Sequence, residues 1–109
     1  MQLLTEGKCL WDFSLSGEPI VLPDDFSLSP EACRGKIVFT HVPTPEIVLY
    51  LREALAIVAE TGGTLCHAAV LALEMGCPII VAAKDSSIAV EGKQMVTICG
   101  KNGIGGIYA

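Results

Sequence analysis

The residues best suited to chemistry form one run, Thr61-Gly62-Gly63-Thr64-Leu65-Cys66-His67-Ala68-Ala69. It reads as a strand end, a two-glycine turn and a helix start, with Thr64 as the cap and His67 as the third helical residue. Two glycines let the backbone come close to a ligand and take φ angles that other residues resist. The first amides of a helix have no internal partner and the dipole is positive there, so an anion is welcome. The same dipole disfavours a charged imidazole, and the neutral ring is the nucleophile. Such a ring can attack phosphorus and carry the phosphoryl group on nitrogen. The candidate site is therefore His67 as nucleophile, with Gly62, Gly63, Thr64 and Cys66 around the phosphate. Physics alone leaves a plain alternative open, since a first-turn histidine can equally be a cap or core residue and Gly-Gly a simple turn.

Other chemistry is less well supported by residue placement. Cys66 and His67 are of the types of a thiol and its base, but neighbours on a helix point about 100° apart and do not face each other. His41 follows a strand and reads as a surface residue. The scattered Cys and His residues lack the spacing of a zinc site, so no metal is expected. The acidic residues are spread out and read as a solvated surface.

The elements that must position His67 follow from pattern. Lys36 to Thr40 is a strand rich in β-branched and aromatic residues. Thr44-Pro45-Glu46 starts a helix, with a cap, a proline at the first position and an acid at the positive end. Ile47, Leu51, Ala54 and Leu55 lie on one helical face. Leu55 to Ala59 reads as a buried strand. After the His67 helix, Gly76 suits a left-handed end and Pro78 follows. Pro78 to Ala82, Gln94 to Cys99 and Ile104 to Tyr108 read as strands, with a turn at Gly92-Lys93. The first third is strands joined by loops, with Ile20 to Leu22 one short strand. The class is α/β.

Bulk properties narrow the field. The 109 residues suit one domain spanning 1–109, and 51% hydrophobic residues can build a core. A formal charge of −5 excludes the basic face of a nucleic-acid binder and leaves any phosphate to be held locally. The five cysteines, Cys9, Cys33, Cys66, Cys77 and Cys99, are odd in number and contain no C-x-x-C pair. They read as reduced thiols in a cytoplasmic protein rather than as disulfides. The N-terminus lacks the pattern of a signal peptide. No apolar stretch approaches the roughly 20 residues of a membrane span.

The stretch Gly62-Gly63-Thr64-Leu65-Cys66-His67-Ala68-Ala69, with Gly76 and Pro78 downstream, resembles the signature of the phosphohistidine domain of the PEP-utilising enzymes. That family includes pyruvate phosphate dikinase, phosphoenolpyruvate synthase and enzyme I of the sugar phosphotransferase system. Cys66 just before the histidine is similar to the synthase branch. The resemblance runs from about Gly35 to Ala82 and weakens beyond. It implies the swivelling β/β/α fold and a phosphohistidine at His67. It also implies nucleotide-binding and phosphoenolpyruvate-binding partner domains, from which the phosphoryl group of ATP or phosphoenolpyruvate would come. No cofactor is expected in this chain itself.

The sequence departs from the family in three places. Leu73 stands where an arginine is usual, Val81-Ala82-Ala83 replaces a strand ending in Val-Gly, and Cys99-Gly100 replaces Asp-Gly. Losing the arginine removes a fork-shaped donor suited to phosphate. A barrel of about 250 residues cannot fit in this chain, and no lysine-bearing glycine-rich nucleotide loop is present, so turnover by the chain alone is not expected. Three readings stay open: a subunit or excised domain of a phosphotransfer enzyme, a free-standing phosphocarrier, or a degenerate copy kept for binding or regulation.

Overall fold

The computed structural model describes residues 1–109. Eight strands are joined in one mixed sheet. They are β1 (Leu3–Cys9), β2 (Phe13–Gly17), β3 (Pro19–Val21), β4 (Ile37–Thr40), β5 (Ala56–Ala59), β6 (Ile79–Val81), β7 (Val96–Lys101) and β8 (Ile104–Tyr108). The helices are α1 (Val48–Leu51), α2 (His67–Met75) and α3 (Ser86–Ala89), with 3-10 turns at Pro30–Cys33 and Pro45–Ile47. The sheet order is β2-β7-β8-β1-β6-β5-β4-β3. Strands β3 to β6 run parallel and the other pairings are antiparallel.

The burial pattern explains the layering. β4, β5 and β6 are buried along their whole length, as expected of parallel strands covered on both faces. On one face Ile37, Phe39, Ala56, Val58 and Ile80 pack with Val96, Ile98 and Ile107 of the antiparallel half. On the other, Val38, Ile57, Ile79 and Val81 pack with Ile47, Tyr50 and Leu51 and with Ala68, Ala69 and Ala72 of α2. Each fully buried aliphatic side chain contributes about 1.5–3 kcal/mol. The result is antiparallel half, parallel half and helices in three layers. Two glycines allow the close fit: a Cβ on Gly7 would overlap the Val81 carbonyl oxygen, and one on Gly105 would lie 2.6 Å from the Ile80 side chain.

The expected strands at Ile20, Lys36, Leu55, Pro78, Gln94 and Ile104 are all present, shifted by up to two residues at their ends. The first helix is shorter than its apolar face implies. It stops at Leu51, and Leu55 N–H instead donates to the Lys36 carbonyl, which makes Leu55 the lead into β5. Gly76 closes α2 in the left-handed region at φ 72°, as its position suggests. The hairpin between β7 and β8 turns on Asn102 (φ 54°) and Gly103 (φ 83°), a pair made for a tight right-twisted turn.

Candidate functional site

The β5 strand delivers the chain to the site at the C-terminal end of the parallel strands. Glu60 and Thr61 continue the pairing past its end: Glu60 N–H donates to the Thr40 carbonyl (3.0 Å), and Thr61 donates to the His41 carbonyl through both N–H and Oγ1 (3.2 Å each). Gly62 then takes φ +99°, and a Cβ there would lie 2.9 Å from Cγ of Pro43. Glycine is required at this position by both conformation and space. Gly63 differs, since nothing lies within 4 Å of where its Cβ would be.

The helix begins later than Thr64 predicts. Cys66 N–H donates to the Gly63 carbonyl (3.0 Å), which folds Gly63 to Cys66 into a turn and uses Thr64 and Leu65 as its central residues. Cys66 is extended (ψ 157°) and is the cap, and its side chain makes no capping hydrogen bond. His67 is therefore the first helical residue rather than the third. The correction leaves His67 inside the first turn. The first helical hydrogen bond is from Val70 N–H to the Cys66 carbonyl, so the amides of His67, Ala68 and Ala69 donate to no backbone or side-chain acceptor. Three unpaired amides and the positive end of a nine-residue helix favour an anion.

His67 is exposed, as are Gly62 and Gly63, while Thr64 and Cys66 are half-buried. Ala68, Ala69 and Ala72 are buried against the sheet and fix the helix so that His67 faces outward. Leu73, where the resemblance implies an arginine, is 51% exposed and offers no donor. No cluster of three or more His, Cys, Asp or Glu side chains could hold a metal ion. All five thiols are free. Burial pushes Cys77 up to about 11 and raises Cys33 and Cys9, which makes these three poor nucleophiles.

Sequence reasoning placed the second histidine at the surface, where it is, and missed its partners. His41, read as a surface residue, is part of a three-segment ionic contact. Its Nδ1 lies 2.7 Å from Asp24 Oδ1 and its Nε2 lies 3.2 Å from Glu60 Oε2. The hydrogen bond to Asp24, followed by the charges of Asp24 and Glu60, holds His41 protonated above the usual histidine range despite some opposing desolvation. His41 and Asp24 line a cavity of about 190 Å³ with Phe26, Thr40, Val42 and Thr44. Asp24 and Glu60 lie 17 and 19 residues from His41, so no local pattern announces them. The larger cleft, about 420 Å³ between Pro30, Val48 and Met75, contains none of the site residues. No helix is long and apolar enough to cross a membrane.

Comparison with known proteins agrees with the local pattern. The probable phosphoenolpyruvate synthase of Archaeoglobus fulgidus is 37% identical over 70 residues, covering 64% of this chain and 9% of the relative. The phosphoenolpyruvate synthase of Neisseria meningitidis serogroup B is 31% identical over 109 residues, 98% of this chain and 14% of the relative. That of Escherichia coli K12 is 28% identical over 109 residues, 99% of this chain and 14% of the relative. The chain thus spans only 9% to 14% of the length of these curated relatives. The family model described as PEP-utilising enzyme, mobile domain, matches residues 33–103, well over half of the chain, including the glycine turn and His67. This chain belongs to the PEP-utilising enzyme mobile-domain family.

Proposed function

We propose that the chain is a phosphoryl carrier, a single swivelling β/β/α domain that holds the group on His67 while it passes between remote sites. A lone pair of an imidazole nitrogen forms the N–P bond as the P–O bond to the donor breaks, and that electron pair leaves with the donor oxygen. The observation that carries this reading is the exposed His67 beside three amides without acceptors. The amides and the helix dipole would hold the phosphoryl oxygens, with Gly62, Gly63, Thr64 and Cys66 as the surrounding wall. The donor and acceptor would be bound by nucleotide-binding and phosphoenolpyruvate-binding domains like those implied by the family. Free, buried thiols support a reducing cytoplasm as the setting.

The test is incubation of the purified chain with a cell lysate and labelled ATP or phosphoenolpyruvate. The expected product is a label lost in mild acid and stable in base, as for a phosphoramidate, and absent from His67→Ala. Label that persists in His67→Ala would place the site elsewhere. A second reading is favoured by Leu73, which supplies no guanidinium where the family has one: a degenerate copy that binds or regulates. Complete absence of label in wild type supports that reading. Restoring labelling with Leu73→Arg would then identify the missing part.

A further inference from the structure

We propose that His41 is a positioning residue for His67: by joining Asp24 and Glu60 through its two ring nitrogens, it fixes the turn from which α2 starts. The functional meaning rests on the carrier reading, whereas the mechanical link can be tested apart from it. The link is built from contacts on three segments. Asp24 lies in the loop after β3, His41 just past β4, and Glu60 just past β5. His41 bridges the two acids at 2.7 and 3.2 Å. Its own carbonyl accepts both donors of Thr61. Pro43 packs against Gly62. Residues 60–62 are therefore held at several points by residues 40–43, and only the Gly63–Cys66 turn separates them from His67.

Glu60 makes the ring's charge matter. Its Oε2 is buried and accepts no hydrogen bond; His41 Nε2 is the only cation within 4 Å. A neutral ring with its proton on Nδ1 for Asp24 would leave no positive charge beside that carboxylate oxygen. The contact would lose its attraction, and a buried carboxylate oxygen would be left unpaired. Asp24 and Glu60 are the charged groups that face the ring from the packed segments, and both favour the imidazolium. The raised proton affinity sets the sign: the clamp is complete at pH below the ordinary histidine range and is released as pH rises through the raised folded value.

The test uses the full chain, isotopically labelled, with NMR resonances followed across histidine titration. In wild type and in His67→Ala, the Gly62 and Gly63 amides are expected to shift with the midpoint of the His41 ring. His41→Arg keeps a cation at every pH and should hold those amides in their acid-form positions. His41→Gln should hold them in their alkaline-form positions. As a chemical readout, phosphoramidate serves as a small phosphoryl donor. Its rate of labelling His67 near neutral pH should fall several-fold in His41→Gln and return in His41→Arg. Turn amides indifferent to the His41 titration overturn the proposal, as does equal labelling of wild type and His41→Gln. If these responses appear but no cellular donor labels the chain, the positioning link stands and the carrier reading fails.

Discussion

The two histidines sit on neighbouring loops and are treated in opposite ways. His41 is paired with two carboxylates, and its backbone carbonyl is also engaged. His67 is exposed and has no hydrogen-bonding or ionic side-chain partner within the chain, and the amides beside it are unpaired. The contrast is between a ring tied into the chain's own contacts and one left free of them. Evenly satisfied groups hold a structure together, whereas groups left unsatisfied at the surface are available to a ligand. The glycines divide in the same manner: Gly62 is held by φ and by Pro43, and Gly63 opens to free space.

Substitutions can break or sharpen this contrast. The largest effect expected is from His67→Ala, which should abolish phosphoryl labelling while changing stability by no more than about 0.5 kcal/mol, as for an exposed position without partners; thermal denaturation and acid-labile label together check it. Gly62→Ala should cost about 2 kcal/mol, because it forces a side chain into positive φ and against Pro43, and the melting temperature should fall by several degrees. Ala82 lies at φ +57°, so Ala82→Gly should stabilise by about 0.5–1 kcal/mol, read from denaturant unfolding. His41→Gln should cost less than about 1 kcal/mol, since the ring is half exposed. That cost should be present in acid and vanish as pH rises through the raised His41 value, so unfolding curves of the two proteins should converge in alkali. Gly63→Ala should change stability by no more than about 0.5 kcal/mol; a loss like that of Gly62→Ala would show that the two glycines are not divided as described.

Much of this was readable from residues because it is local. The apolar runs at Ile37, Ala56 and Ile79 are strands buried on both faces, and Gly76-Cys77-Pro78 ends a helix by backbone rules that involve a few neighbours. The candidate site residues lie together in one run, so their adjacency is legible in the sequence. The exact helix start was not readable, because Thr64 is a good cap by type and only the hydrogen bond from Cys66 to Gly63 excludes it. The short α3 was missed, since Ser86-Ser87-Ile88-Ala89 has no helical periodicity and follows Asp85 at positive φ. The His41 cluster was invisible for a different reason. Ionic contacts join residues that the sheet brings together, and charge type alone does not say which acids will be neighbours. Ala82 is an intermediate case: the resemblance implies a glycine there, and the left-handed φ supplies the physical cause.

The placement of β1 has a consequence for how the chain acquires its shape. This first strand lies between β6 and β8, with Glu6 opposite Gly106 and Lys8 opposite Val81. It precedes both neighbours in the chain, and neither exists until Ile79–Val81 and Ile104–Tyr108 have been made. Its pairings close very long loops, so the entropy of ordering is spent before the contacts that offset it can form. The parallel half has nearer partners and can assemble earlier, with the crevice for β1 still open. Completion of the sheet therefore awaits the hairpin of β7 and β8. Until then the β1 edge that pairs with β8 is open, a state prone to association with another chain.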